Sequence, residues 1–79
     1  IGKNVHEDPE ILNFGQPGQG PILQAGMTLA IEPMITMGDY KVYVAKDGWT
    51  VKTQDSSLAA HVEDTILVTS EQPKILTRP

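Results

Sequence analysis

The chain has 79 residues, a formal net charge of −4, 39% hydrophobic and 5% aromatic content, and no cysteine. That length admits one domain or a piece of one, and a free-standing domain of this size buries only about 60% of its unfolded surface, so its core is thin. The composition excludes a disulfide framework or a zinc–thiolate site; the scattered basic residues speak against DNA or RNA binding; no apolar run approaches the roughly 18 residues of a membrane span, and no signal peptide opens the chain.

The opening Ile1-Gly2-Lys3 does not read as a natural start, so an upstream part of a longer polypeptide is expected. Residues 1–12 read as an extended or irregular lead-in. Residues 13–26 carry four glycines and two prolines, a density of turn formers that marks a surface loop. From Met27 to Glu32 the chain alternates, with Met27, Leu29 and Ile31 on one side and Thr28, Ala30 and Glu32 on the other, which predicts a strand. Pro33 keeps Glu32 extended. Lys41–Lys46 and Trp49–Gln54 flank Asp47-Gly48, a strong hairpin signal. Leu58–Thr69 reads as one long strand, with His61, Glu63, Thr65 and Leu67 sharing a face. Ile75–Thr77 predicts a short last strand after Pro73. No segment has a helical stripe. The pattern is that of an antiparallel, strand-rich piece whose sheet lacks a cover within these residues.

Glu32 and Glu63 stand inside apolar, strand-like runs. A carboxylate there is expected to be desolvated, and an unpaired buried charge costs several kcal/mol. The plain reading pairs each with a lysine or with backbone N–H groups. The sharper reading sets both on one face as metal ligands, since carboxylate oxygen suits divalent ions and a bridging glutamate can hold two of them about 3.5–4 Å apart. Two glutamates are too few for such a site, so histidines or aspartates must come from elsewhere. His6, in the cluster His6-Glu7-Asp8-Pro9, is either part of a solvated turn or a hydrogen-bond donor and proton carrier. His61 is a surface or supporting histidine, or a further ligand on the Glu63 face. Trp49 is either ordinary core packing or an apolar pocket wall.

The stretches that carry a family likeness are Ile1-Gly2, Val5-His6-Glu7-Asp8-Pro9, and Ala25-Gly26-Met27-Thr28 through Ile31-Glu32-Pro33-Met34. They continue with Lys46-Asp47-Gly48-Trp49-Thr50-Val51-Lys52-Thr53, Asp55, Ser57-Leu58-Ala59-Ala60, Glu63 and Thr65. Together they resemble the C-terminal part of the type I methionine aminopeptidase family, over nearly all of the chain. Proline-directed aminopeptidases share the His-Glu-x-Pro and Ile-Glu-Pro elements but not the Gly-Trp-Thr-Val-Lys-Thr stretch.

The resemblance implies an α+β pita-bread fold, of which residues 1–79 would be the mostly antiparallel-β C-terminal part of a single metalloaminopeptidase catalytic domain. It implies removal of the initiator methionine from nascent proteins in the cytoplasm, near the ribosome, by a hydroxide activated between two divalent ions (Co, Mn, Fe or Zn), with no DNA or membrane partner. Glu32 matches a metal ligand that is also the favoured general base, and Glu63 matches the ligand that bridges both ions. His6 matches a catalytic, substrate-contacting histidine, and Val5 and Trp49 match positions lining the methionine pocket. The family's two ligand aspartates and ligand histidine would lie upstream of Ile1, so the 79 residues alone are expected to be inactive. Asp64 stands where a histidine is common, and Val5 is smaller than the aromatic residue often found at its position. A proline-directed aminopeptidase, a non-catalytic pita-bread binding protein and a bare structural fragment are the rival readings.

Overall fold

A computed structural model describes residues 1–79. It contains seven short strands and no helix: β1 (Thr28–Ile31), β2 (Met34–Thr36), β3 (Val42–Val44), β4 (Val51–Thr53), β5 (Ala59–His61), β6 (Asp64–Leu67) and β7 (Lys74–Ile75). They fall into two units, residues 1–32 with 63–79 and residues 33–62.

The first unit is a three-stranded antiparallel sheet in the order β1-β6-β7. Its register sets Leu29 against Ile66, and Ile66 against Ile75, so one apolar row crosses all three strands. Leu29, 9% exposed, is the one buried hydrophobic residue of the chain, and burial of such a side chain contributes roughly 1.5–3 kcal/mol. The pairing runs on past Thr28: Gly26 N–H donates to the Val68 carbonyl (2.8 Å) and Val68 N–H to the Met27 carbonyl (2.8 Å). Gly26 takes φ +98°, a left-handed conformation that glycine adopts without a steric penalty. The lead-in is irregular, as expected, and is tied down where the Thr28 hydroxyl donates to the Ile1 carbonyl (2.7 Å).

The second unit holds two ladders, β2–β5 and β3–β4. The predicted hairpin around Asp47-Gly48 is present, with shorter strands and a wider turn than a two-residue Asp-Gly loop. Gly48 N–H donates to the Ala45 carbonyl (3.0 Å), and Ala45 N–H to the Thr50 carbonyl (2.8 Å). The Asp47 carboxylate accepts from the N–H groups of Trp49 (2.9 Å) and Thr50 (2.8 Å), while Gly48 turns at φ +72°. Asp55 holds the connections between the ladders, accepting from Asp39 N–H (2.9 Å) and Ser57 N–H (3.0 Å). Gly38 packs so closely there that a Cβ would overlap the Asp55 carboxylate and lie 3.0 Å from Ser57 Cβ.

Two expectations are corrected. The strand expected over Leu58–Thr69 is interrupted at Val62-Glu63, and its halves are β5 and β6. Met34–Thr36, which carried no predicted strand, pairs with β5. The reason lies at Pro33, which has no N–H to give a ladder. Two residues on each strand, Glu32-Pro33 and Val62-Glu63, lie between the pairs Ile31↔Asp64 and Met34↔His61, with only the Val62 N–H to Pro33 carbonyl bond (3.4 Å) kept among them, and the equal count on both strands means that the interruption is not a bulge. The last strand is Lys74–Ile75 rather than Ile75–Thr77.

The expected lack of a cover is observed: Met34, Ile35, Val44, Val51 and Leu58 are all exposed. No helix is long and apolar enough to cross a membrane.

The nearby Ser57 hydroxyl, which makes no hydrogen bond of standard geometry, and the N–H groups of Asp39 and Ser57, which do, hold the Asp55 carboxyl below its ordinary 3.8, at about 2. A carboxyl depressed in the folded state stabilises the fold above its unfolded pKa and loses that contribution as pH falls through the folded value. The Asp39 and Ser57 amide signals are therefore expected to move together with a midpoint of about 2 in an NMR acid titration. A midpoint at the ordinary 3.8 would mean that the bonds are not formed.

Candidate active site

β1 ends at Ile31 and β6 begins at Asp64, and these two residues are the last pair of their ladder. The register carried one step further sets Glu32 opposite Glu63. Directly opposed residues of an antiparallel pair share a face, so the two carboxylates leave the open end of the ladder on the same side. Both residues line a cavity of about 910 Å³. Val5 and His6 reach it from the lead-in, and Leu29 and Ile31 form part of its apolar floor.

The structure thus brings Val5, His6, Glu32 and Glu63 together within the first unit. The expected desolvation of the glutamates is not found. Both are exposed, and each sits just outside its strand rather than within it. Neither carboxylate receives a lysine or a backbone N–H, and the one ion pair of the chain joins Arg78 to Asp64. Val5 is 79% exposed at the cavity.

Trp49 and His61 belong to the second unit. Trp49 stands on the β3–β4 turn, 87% exposed, so it packs into no core here. His61 lies in β5, opposite Met34, and Glu63 lies outside that strand, so the single strand expected to carry both is two strands.

Two supporting contacts have no local signal in the sequence. Asn13 Nδ2 donates to the Glu32 carbonyl (3.2 Å), tying the glycine- and proline-rich loop to the residue that carries the first carboxylate. Asp64 accepts from the Arg78 guanidinium and the Thr77 hydroxyl (2.7 Å), and these hold its carboxyl at about 2. Each contact joins segments far apart in the chain, and a scan of local spacing does not register such pairs.

As a donor set, two neighbouring carboxylates without a cationic partner suit a divalent ion in kind. No group of three or more His, Cys, Asp or Glu side chains is arranged to hold a metal. The residues present therefore fit part of a metal site.

The chain matches metallopeptidase family M24 over residues 1–70 and belongs to that family. Within it, the likeness is to methionine aminopeptidases. The methionine aminopeptidase of Clostridium perfringens is 58% identical over 77 residues, 98% of this chain and 31% of that protein. The crystal structure of the Thermotoga maritima methionine aminopeptidase superposes with a TM-score of 0.90 at 55% identity, over 95% of this chain and 30% of that one. That of Rickettsia prowazekii gives 0.87 at 47%, over 92% and 30%. The fold is the pita-bread fold of these enzymes, of which the 79 residues form an all-strand portion. The chain spans about a third of the length of the relatives it matches.

The Asn13 tether is an exposed, neutral hydrogen bond. Asn13→Ala in the full-length protein is expected to cost about 1 kcal/mol or less in denaturant unfolding. Asn13→Asp is expected to cost more, because it sets a carboxylate oxygen against the Glu32 carbonyl. Unchanged stability of Asn13→Asp would show that the tether is absent.

Proposed function

We propose that these 79 residues are the C-terminal part of the catalytic domain of an aminopeptidase that removes the initiator methionine from nascent proteins. The observation that carries this reading is the pair Glu32 and Glu63 at the open end of the β1–β6 ladder, beside His6, in a chain whose relatives are methionine aminopeptidases. The work belongs in the cytoplasm, close to the ribosome, where new chains still carry their first methionine. A chain without cysteine suits that reducing compartment.

In this reading Glu32 and Glu63 hold two divalent ions (Co, Mn, Fe or Zn), with further ligands supplied by residues outside this segment. Ions bound there would supply polarisation of the scissile carbonyl and a lowered pKa of water. Glu32 takes the proton of the attacking water and passes it to the leaving amine. His6 donates a hydrogen bond to the tetrahedral intermediate, where negative charge develops. Val5, at the cavity beside the two glutamates, lines the pocket for the methionine side chain, and confinement in the complete enzyme favours a small second residue on the substrate.

Glu63→Gln in the full-length enzyme is expected to abolish binding of the metal pair and to lower turnover by at least about 100-fold, the upper end for residues that merely orient ligands. Retained metal binding together with retained turnover would sink the assignment. Release from Met-Ala-Ser but not from Ala-Pro peptides separates this activity from a proline-directed one, and release from neither points to a binding protein.

The isolated 79-residue chain, with two ligands and no others arranged around them, is expected to release no methionine from Met-Ala-Ser with Co²⁺ or Mn²⁺ added. Turnover by that chain alone would contradict the division of the site.

A further inference from the structure

We infer that Arg78 and Thr77 form a positioning clamp for Glu63, acting through Asp64; the inference rests on the reading of Glu63 as a metal-holding carboxylate. β6 is the central strand of its sheet, and β1 pairs with all of it, from Leu67 to Asp64. On its other flank β7 pairs only with Ile66 and Leu67. The half of β6 nearest Glu63 would be held on one side only, were the pairing not continued by other groups.

Those groups come from the three residues after β7. Leu76 N–H donates to the Thr65 carbonyl (2.8 Å). The Thr77 hydroxyl accepts from Thr65 N–H (3.2 Å) and donates to Asp64 Oδ1 (2.7 Å), standing in for a strand residue. Arg78 then closes on the Asp64 carboxylate, with Nε 3.0 Å from Oδ1 and 2.9 Å from Oδ2 and with Nη2 on Oδ2 as well. The Asp64 side chain is 15% exposed and that of Arg78 61%, so the guanidinium lies over the carboxylate as a lid of charge.

The clamp ends one peptide from Glu63, a Cα–Cα step of about 3.8 Å. Alternation along an extended chain turns the Asp64 side chain away from that of Glu63, so Asp64 is no ligand itself. Its effect is on the backbone: it pins the first residue of β6, from which Glu63 projects past the end of the ladder. The planar fork of arginine suits a carboxylate held at both oxygens, whereas lysine offers only a point charge. A partly exposed ion pair adds little to global stability, so the clamp should be felt at the site far more than in the melting temperature.

The test is Arg78→Ala in the full-length enzyme. Expected are about 10-fold weaker Mn²⁺ binding by calorimetry and about 10-fold lower kcat, with KM within about 2-fold. The melting temperature of the metal-free protein should move by no more than about 3 °C. The exchanged pair Asp64→Arg with Arg78→Asp should recover part of the loss, and Arg78→Lys less than the wild type retains. Unchanged Mn²⁺ affinity and kcat would overturn the clamp, as would a lowered melting temperature with unchanged affinity, which marks a structural role alone. If Arg78→Ala does not fold, Thr77→Val, which removes only the hydroxyl, decides: weaker Mn²⁺ binding supports the clamp and unchanged binding overturns it. A wild-type enzyme that binds no Mn²⁺, or a Glu63→Gln variant that binds it normally, defeats the underlying reading of Glu63. Normal wild-type binding that is lost in Glu63→Gln but kept in Arg78→Ala defeats the clamp alone.

Discussion

Four antiparallel pairs between β1 and β6, with Leu29 set against Ile66, decide where Glu32 and Glu63 lie. Side chains alternate along a strand, so a slip of one residue would turn Leu29 out of the apolar row and bring a different pair of residues to the open end. The buried side of the sheet therefore selects the register, and the register delivers the two carboxylates. Burial of Leu29 and placement of the acidic pair are two results of one pairing. Leu29 and Glu32 lie three positions apart on the same strand and its continuation, and Leu29 itself lines the cavity beside the acidic pair.

Pro33 is the second determinant. It follows Glu32 directly and cannot donate to a ladder, so β1 stops before the glutamate rather than after it. Glu63 stops short in the same way on the partner strand. Both glutamates are exposed and border the cavity. The loop before β1 and the segment after β7 each add a hydrogen bond close to that break, Asn13 at Glu32 and Thr77 with Arg78 at Asp64.

The sheets bury one hydrophobic side chain and leave many apolar ones in contact with water. The relatives that the chain matches are some three times longer, and in the reading proposed above residues outside these 79 cover such faces and complete the ligand set. The segment described contributes a pair of acidic groups and the scaffold that aims them. Its second unit has two backbone ladders and no buried side chain, and at its turns Asp47 and Asp55 each gather backbone N–H groups. Those contacts give the hairpin and the Asp39–Ser57 connection a defined shape where no core does.

Local sequence determined a good deal of this molecule. The alternation of Met27–Glu32 marked β1, Asp47-Gly48 between two β-rich runs marked the β3–β4 hairpin, the glycines and prolines of residues 13–26 marked a loop, and the absence of a 3.6-residue stripe matched the absence of helix. Glutamates after Ile31 and Val62 drew notice because charge is rare in apolar strands, and the motifs around them pointed to the family. Tertiary structure decided the rest. Val62-Glu63 reads as mid-strand because its own residues favour β structure; the break comes from Pro33, 30 positions away and belonging to the opposing strand. The exposure of Glu32, Glu63 and Trp49 was likewise not legible, since burial depends on what packs against a residue and not on its neighbours in the chain. The Arg78–Asp64 and Asn13–Glu32 contacts span 14 and 19 positions, and only the folded backbone brings such partners within reach.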